Sequence, residues 1–323
     1  MKSGGNTAEK KVVALCGGVG GAKLAWGLAQ VLSPEQLTLI VNTGDDFSHL
    51  GFGKTGLHIS PDLDTVMYTL ANRNNRELGW GLQGETWQCM NALENFGGDT
   101  WFRLGDKDLA THFFRTQQLA QGKTLTQVTA ELCTALNIAH RILPMCNEPL
   151  PTLVDTEKGT LAFQHYFVRE QCKPVVRGVQ HLGAENSTLS HEVRAALQDE
   201  ALTHIIICPS NPLLSIAPIL TVSGLRELLQ TLRKKIIVVS PLIGGQAVKG
   251  PTAKMLRELN IATHTASIAH FYQDLLGTLL IDDSDAHEAD TLQQYNIRVQ
   301  TSKTLMQTDA DKIALARAII YPL

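Results

Sequence analysis

The sequence predicts an α/β protein built on a mostly parallel sheet. Short runs of Ile, Val and Leu recur along the chain and are bounded by Pro, Gly or Ser, as is typical of buried parallel strands. The first run leads through a glycine-rich segment into a helical apolar pattern and then into a second run. Strand, glycine loop, helix and strand in this order open a Rossmann-like sheet.

The elements at the N-terminal end are the clearest. Residues 1–10 are rich in Ser, Gly and charged side chains and predict a disordered lead-in. Lys11–Cys16 is the first predicted strand, and Gly17–Gly21 is the glycine loop. A helix with Leu and Val at helical spacing follows, and the second predicted strand is Leu37–Asn42.

The C-terminal half alternates strands with helices. Apolar runs predict strands at Ile205–Cys208, Ile236–Val239 and Leu279–Ile281, and helical patterns cover residues 224–232, 251–258 and 267–276.

The middle of the chain has a different pattern. Residues 85–96 and 106–136 predict helices, and the apolar stripe at 125–136 is typical of a helix face packed on a core. Residues 152–169 predict a β-hairpin with its turn at Glu157–Gly159. The sequence has no internal repeat and no long linker.

The length of 323 residues allows two domains or one large α/β unit. We expect a single Rossmann-like domain over residues 11–323, with a helical insertion at about 75–145 and the β-hairpin as an excursion after it.

Composition excludes several classes of protein. With 28 Lys and Arg against 31 Asp and Glu, the net charge of −3 argues against general nucleic-acid binding. No apolar run approaches the roughly 20 residues of a membrane span, and the first residues lack the apolar stretch of a secretory signal. The six cysteines are scattered without a CxxC pair, so we expect reduced thiols in a cytoplasmic protein, with no disulfide framework or zinc site.

The glycine loop predicts a phosphate site. Gly17, Gly18, Gly20 and Gly21 lie between a strand and a helix, where backbone N–H groups and the helix dipole favour an anion. Lys23 follows within reach of a phosphate. The pattern is neither G-x-G-x-x-G nor a Walker A sequence, and a tight turn without a ligand is the alternative.

Carboxylates follow the second strand. Asp45 and Asp46 lie where the ligand crevice of an open α/β sheet is expected, and oxygen ligands of this kind suit Mg²⁺ beside a phosphate. A solvated polar loop is the alternative. Ser60 suits the N-cap of the next helix, and capping chemistry explains Asp62 as well. Capping explains Asp64 less easily, so we expect a functional role for it.

Two further loops and one helix supply candidates. Ser210 and Asn211 follow a predicted strand and can present hydroxyl and amide groups to a nucleotide, and Gly244 lies in the loop after the next strand. His112 and Arg115 fall four and seven residues after Asp108, on one helix face. A lone histidine is more often structural than catalytic.

Six segments, in this order, resemble the 2-phospho-L-lactate transferase family of coenzyme F-420 biosynthesis. The resemblance extends from about residue 11 to residue 320. The segments are Cys16–Leu24, Asn42–Asp46, Ile59–Thr65, Leu104–His112, Pro209–Pro212 and Ser240–Gly244.

The resemblance implies a Rossmann-like homodimer that uses Mg²⁺. It also implies a transfer from a guanosine diphosphate derivative of a three-carbon acid to the ribityl hydroxyl of 7,8-didemethyl-8-hydroxy-5-deazariboflavin, with release of GMP. The acceptor contacts of the family fall on Asp64 and on Arg103, where some members have Lys. We predict Asp62 and Asp64 as catalytic residues, with Asp64 orienting or deprotonating the hydroxyl. The alternative is that Asp64 binds magnesium and that no discrete base exists.

One departure from the family pattern and two rival functions remain. Phe52–Gly56 is an insertion that could bring Lys54 towards the phosphates. A regulatory nucleotide-sugar-binding protein of the same superfamily would carry an Asp-Asp-Gly-Gly-Ser-Ser-Gly stretch, whereas Asp46 is followed here by Phe47 and Ser48. A nicotinamide-dependent oxidoreductase is disfavoured because the third glycine of its motif is missing.

Overall fold

The structure is a computed structural model that describes residues 10–51, 56–247 and 250–322. Residues 1–9 of the predicted lead-in and most of the predicted insertion, including Lys54, lie outside the described residues. In chain order the described strands are β1 (Lys11–Cys16), β2 (Leu37–Val41), β3 (Phe47–His49), β4 (Leu57–Ile59), β5 (Arg141–Pro144), β6 (Thr152–Thr156), β7 (Gly159–Ala162), β8 (Val176–His181), β9 (Leu202–Ile207), β10 (Ile236–Val239), β11 (Leu242–Ile243), β12 (Gln246–Ala247), β13 (Thr278–Asp282) and β14 (Arg298–Ser302).

Helices connect these strands. The described α-helices are α1 (Gly18–Val31), α2 (Pro61–Leu70), α3 (Gln88–Asn95), α4 (Asp106–Ala120), α5 (Leu125–Ala135), α6 (His191–Leu197), α7 (Ala217–Thr221), α8 (Leu225–Thr231), α9 (Thr252–Glu258), α10 (Thr265–Phe271), α11 (Ala289–Leu292) and α12 (Asp309–Ile320).

A seven-stranded parallel sheet forms the centre of the fold. Its strand order is β14-β13-β10-β9-β1-β2-β5, and every neighbouring pair is parallel. The chain leaves β1 towards β2 on one side and later returns to β9 on the other. The order therefore reverses at β1, and in such sheets the ligand crevice lies at this switch point, beyond the carboxyl ends of the strands. The predicted fold class is confirmed.

Apolar residues cover both faces of the sheet, as a parallel sheet requires. Side chains of β1 alternate between the two cores: Val12 and Ala14 belong to one, Val13 and Leu15 to the other. The first core contains residues of α1, α2, α5 and α12, and the second contains residues of α6, α7, α8 and α10. The glycine loop after β1 is thus anchored between two buried layers.

The predicted insertion needs a correction. Within residues 75–145, α5 is part of the main core, as its apolar stripe predicted, and β5 is the edge strand of the main sheet. Four residues of β5 were too few to stand out in the sequence. The predicted helix at 106–136 is two helices, because the chain turns at Gly122, where φ is +89°.

The hairpin excursion is also larger than predicted. β6 and β7 form the predicted hairpin, but β8 pairs with β6 on its other side and completes a three-stranded antiparallel sheet. Residues His165–Arg169, predicted as strand, form a π-helical turn instead. The β3–β4 hairpin and the helix α12 were not predicted.

In the described part of the chain, no single helix is long and apolar enough to cross a membrane. The segments Pro212–Thr221 and Leu225–Thr231 reach that length only together, and they meet at an angle of 91°.

The contact between α1 and α12 leads to a first prediction. A β-carbon added at Gly27 would lie 2.3 Å from the carbonyl oxygen of Lys312 in α12. Gly27→Ala should therefore lower the free energy of unfolding by about 1–3 kcal/mol, because the helix backbones must separate. The measurement is urea unfolding.

The exposed Gln30 in the same helix supplies the control. Gln30→Ala should change the free energy of unfolding by no more than about 0.5 kcal/mol. Equal stabilities of the two variants would contradict the close approach of α1 and α12.

Candidate active site

A cavity of about 670 Å³ opens at the carboxyl edge of the sheet, where the strand order reverses. Ten of the residues predicted for the site line it, and they come from five separate segments of the chain. These residues are Gly17, Gly18, Gly20, Lys23, Asp45, Asp62, Asp64, Arg103, Ser210 and Asn211.

The glycine loop lies directly against the segment that follows β9. A β-carbon at Gly20 would lie 2.5 Å from the carbonyl oxygen of Pro209, and one at Gly21 would lie 2.6 Å from Ser210 Oγ. The Ser210 hydroxyl donates to the Gly17 carbonyl oxygen at 2.8 Å. Only glycine permits this approach, so Gly20 and Gly21 close the seam between β1 and β9. Gly20 also lines the cavity, whereas Gly21, predicted to bind phosphate, does not.

Asp62 joins the glycine loop to the end of β2. Its Oδ1 accepts a hydrogen bond from the N–H of Gly18 at 2.7 Å, and its Oδ2 accepts one from Asn42 Nδ2 at 2.8 Å. Gly18 has a φ of +64°, which glycine adopts without strain. Burial raises the pKa of Asp62 to about 6, although these hydrogen bonds oppose the shift. Both carboxylate oxygens are therefore engaged by the protein.

Asp45 is the most isolated carboxylate of the site. Oδ2 accepts from the backbone N–H of Asp62 at 3.1 Å, and Gln164 Nε2 lies 3.4 Å from the same oxygen. Oδ1 is buried and has no hydrogen-bond partner in the described part of the chain. Burial and the nearby charges of Asp62 and Asp46 raise the pKa of Asp45 well above its usual range. A cation bound at Oδ1 would relieve both effects, so the residues present fit Mg²⁺ here.

Asp46 lies differently from its neighbour. Its oxygens accept from the Ser60 hydroxyl at 2.6 Å and contact His58 Nε2 at 2.8 Å, and it does not line the cavity. Ser60 stands at the N-cap of α2, but its side chain makes no capping bond because it donates to Asp46 instead. Asp46 thus braces the start of α2, and of the predicted metal pair only Asp45 reaches the cavity wall.

Asp64 is held by a buried arginine. It is 4% exposed, and both of its oxygens contact the guanidinium of Arg115, which is fully buried. Burial raises the pKa of Asp64, and the charge of Arg115 opposes that shift. Asp64 lines the cavity, and within the described residues its oxygens accept hydrogen bonds from Arg115 alone, so it can accept one from a bound hydroxyl.

Asp108, His112 and Arg115 share one buried face of α4, as their spacing predicted. His112 Nδ1 lies 3.2 Å from an Arg115 nitrogen, and the Tyr68 hydroxyl donates to Asp108 Oδ1 at 2.7 Å. Asp64, Asp108 and His112 could offer three ligand atoms within 4.8 Å of one another. The guanidinium of Arg115 already supplies positive charge to this group, which disfavours a metal ion there.

The cavity also has apolar and aromatic walls. Leu78, Trp80 and Phe167 line it while remaining 49%, 45% and 39% exposed. Phe167 stacks on Phe163, with ring centroids 5.4 Å apart. Trp101 and Phe102 also line the cavity. The sequence did not predict this aromatic wall, because its residues come from three separate segments with no shared spacing.

Arg103 lies beside this apolar wall. Its guanidinium is 5.3 Å from the centre of the Trp87 ring, and one nitrogen donates to Asn91 Oδ1 at 2.8 Å. The side chain is 42% exposed, so it can also contact a ligand in the cavity.

The predicted nucleotide-binding residues divide into two groups. Asn211 lines the cavity; its Oδ1 accepts from the N–H groups of Leu213 and Leu214, and its buried Nδ2 has no partner within the described residues. Lys23 also lines the cavity and donates to the carbonyl oxygen of Met306 at 2.8 Å. Gly244 lies outside the wall, and its N–H donates to Asp285, so its predicted role has no geometric support.

Comparison with known proteins gives one consistent family. The family model described as "2-phospho-L-lactate transferase CofD" matches residues 12–320. A 2-phospho-L-lactate transferase of Methanosarcina mazei is 33% identical over 309 residues, which cover 96% of this chain and 99% of that protein. A phosphoenolpyruvate transferase of Kitasatospora aureofaciens is 38% identical over 311 residues, covering 94% of each chain.

Solved structures show the same fold. A crystal structure of a UPF0052 family member from Bacillus halodurans superposes with a TM-score of 0.63, at 18% identity. The match covers 97% of this chain and 99% of that one.

The buried carboxylate of Asp62 leads to a second prediction. Its pKa is about 6 in the folded protein and about 3.9 in an unfolded chain, so only the folded state binds this proton between those pH values. The contribution of Asp62 to the free energy of unfolding should therefore fall as the pH rises from about 4 to 6. Asp62→Asn should remove this contribution, so that the free energy of unfolding of the variant rises relative to that of wild type over this range, as measured by urea unfolding in EDTA at several pH values.

The exposed Asp290 provides the matched control. Asp290→Asn should keep the wild-type slope. The same slope in wild type and Asp62→Asn would mean that Asp62 keeps an ordinary pKa in the fold.

Proposed function

The chain belongs to the 2-phospho-L-lactate transferase CofD family, and from that membership we propose its full reaction. It is a transferase of the family that acts in coenzyme F-420 biosynthesis. The donor is guanosine diphosphate linked to phospholactate, phosphoenolpyruvate or phosphoglycerate. The acceptor is the ribityl hydroxyl of 7,8-didemethyl-8-hydroxy-5-deazariboflavin, and GMP leaves. The curated relatives carry both 2-phospho-L-lactate and phosphoenolpyruvate transferase names.

One observation carries this proposal: a single cavity is lined both by polar residues and by aromatic residues. The polar residues include the glycine loop, Lys23 and Asp45, and the aromatic residues include Trp80 and Trp101. A diphosphate suits a helix N-terminus with a cation, and a planar deazaflavin ring suits aromatic walls. Both substrates of a transfer reaction must reach one site, because positioning supplies much of the rate.

Among the polar residues of the cavity, the donor diphosphate would lie against the N-terminus of α1 and near Lys23. Asp45 would hold Mg²⁺, which supplies charge to the phosphate oxygens and thereby stabilises the transition state. Asp62 keeps the glycine loop in place through Gly18, because both of its oxygens are already engaged. Ser210 and Asn211 would contact the nucleotide.

The acceptor ring would pack on the aromatic wall of the cavity, with Arg103 at its edge. Asp64 would accept a hydrogen bond from the ribityl hydroxyl and orient its oxygen towards the phosphorus atom. In this arrangement Asp64 would accept the hydroxyl proton as the new phosphoester bond forms and the bond from phosphorus to GMP breaks. The substrates are small molecules, and the homodimer remains a prediction from the family resemblance.

A transfer assay tests the proposal. The protein, the deazaflavin and each of the three guanylylated acids are combined, and the products are identified by mass. We expect the deazaflavin to gain a phospho-acid group with one of the donors, at the same rate as GMP appears. EDTA should abolish the transfer and Mg²⁺ should restore it.

Two outcomes would contradict parts of this proposal. Binding of the nucleotide without any transfer would favour the regulatory alternative. Full activity of metal-stripped protein in EDTA would remove Mg²⁺ and the role of Asp45.

Arg103 gives the next prediction. Arg103→Ala should weaken deazaflavin binding about tenfold or more, because a charged contact at the ring edge is lost. GDP binding should stay within about twofold, since Arg103 lies beside the aromatic wall. Acceptor binding is measured by fluorescence and GDP binding by calorimetry.

Arg141, exposed at the edge of the sheet and outside the cavity wall, is the control. Arg141→Ala should leave both affinities unchanged. Equal losses for both ligands in Arg103→Ala would show that Arg103 does not act on the acceptor.

A further inference from the structure

Arg115 carries a buried positive charge, and removing a charge from water costs free energy. The residue is fully buried, and its Nε has no hydrogen-bond partner among the described residues. Replacing a buried ion pair by apolar side chains is often neutral or stabilising. The pair of Arg115 and Asp64 is therefore poorly explained by stability alone. Asp64 lines the cavity, whereas its partner Arg115 does not, and this placement offers another explanation.

The pair fixes the carboxylate geometrically. Each terminal nitrogen of Arg115 contacts a different oxygen of Asp64, the fork arrangement that sets the rotation of a carboxylate about its own bond. Asp64 comes from α2 and Arg115 from α4, so the pair also locks the two helices that carry the site. Each oxygen keeps a further lone pair for a bound hydroxyl.

Arg115 is itself held on its other side. Its Nη1 group donates to the carbonyl oxygen of His58 at 3.3 Å and lies 3.2 Å from His112 Nδ1. Because arginine has donors only, a hydrogen bond between these two side chains requires Nδ1 as its acceptor. The other ring nitrogen, Nε2, lies 3.4 Å from Asp108 Oδ1 but forms no hydrogen bond within the described residues, and Asp108 Oδ1 accepts from Tyr68. The guanidinium thus has a fixed orientation before any ligand binds.

We propose that Arg115 is a positioning residue of the transfer reaction: it holds the Asp64 carboxylate in the one orientation that receives the acceptor hydroxyl. The inference rests on the proposed function. The charge of Arg115 also counters the effect of burial, which by itself would favour the protonated form of Asp64. Its action on the reaction passes through Asp64, and Arg115 need not touch the substrates.

A double-mutant cycle between Arg115 and Asp64 tests this inference. Arg115→Lys keeps the charge but loses the fork, and a misplaced reacting group typically reduces the rate about 100-fold. We expect kcat to fall by about that factor while the KM for the donor and the affinity for GDP stay within about twofold. In an Asp64→Asn background, Arg115→Lys should cause no further loss of kcat, because the carboxylate that it positions is gone.

Arg226 supplies a matched control, since its guanidinium contacts both oxygens of Asp274 at 2.8 and 2.7 Å, away from the cavity. Arg226→Lys should leave kcat within about twofold. The inference is overturned if Arg115→Lys turns over within threefold of wild type, or if its loss multiplies with that of Asp64→Asn.

A folding failure of Arg115→Lys is covered by a second comparison. The variant Asp64→Asn/Arg115→Met removes both charges together, which proteins tolerate better than an unpaired charge. Its kcat should equal that of Asp64→Asn; a further loss of more than threefold would overturn the inference. If the wild-type protein transfers nothing, the proposed function is overturned and this assignment with it. If wild type is active and Arg115→Lys turns over within threefold of it, this assignment alone is overturned.

Discussion

The carboxylate of Asp62 accepts one hydrogen bond from Gly18, the first residue of α1, and one from Asn42, which directly follows β2. These two bonds join the first helix, the second strand and the start of α2 at the point where the strand order of the sheet reverses. The backbone N–H of Asp62 in turn orients Asp45. Most of the polar wall of the cavity therefore depends on one partly buried side chain, and its raised pKa is a consequence of that position.

The glycine loop has a second constraint that is purely steric. Gly20 and Gly21 touch the segment Pro209–Ser210, which follows the strand on the other side of β1. A larger residue at either position would separate β1 from β9 and widen the crevice. Gly20 and Gly21 are therefore needed for packing, whether or not a phosphate binds.

The fold and the polar half of the site could be predicted from the sequence because both are local. Apolar runs predict strands, and loops after parallel strands meet at one edge, so Asp45, Asp62, Asp64 and Ser210 could be assigned to one site. The apolar half could not be predicted, because Trp80, Trp101 and Phe167 meet only in the folded chain. For the same reason, the spacing of α4 predicts that Arg115 shares a helix face with His112, but it does not predict the contact of Arg115 with Asp64 in another helix. Gly244 was predicted to bind the nucleotide because its loop follows a strand of the sheet. In the folded chain, however, its N–H already donates to Asp285.

The carboxylates of the site form two groups, which differ in how the protein balances their negative charge. Asp64 and Asp108 lie beside Arg115, so the protein supplies their counter-charge internally. Asp45 and Asp62 have amide and backbone donors, and Oδ1 of Asp45 has no partner in the residues described. A diphosphate donor would be repelled by this second group, since like charges in a low-dielectric site interact strongly. A divalent cation between Asp45 and the diphosphate would turn that repulsion into attraction. The charge of Asp64 is already balanced by Arg115, so Asp64 would be left to act on the uncharged hydroxyl of the acceptor. Under the proposed function, this difference in counter-charge would place the metal at Asp45 and the proton of the acceptor hydroxyl at Asp64.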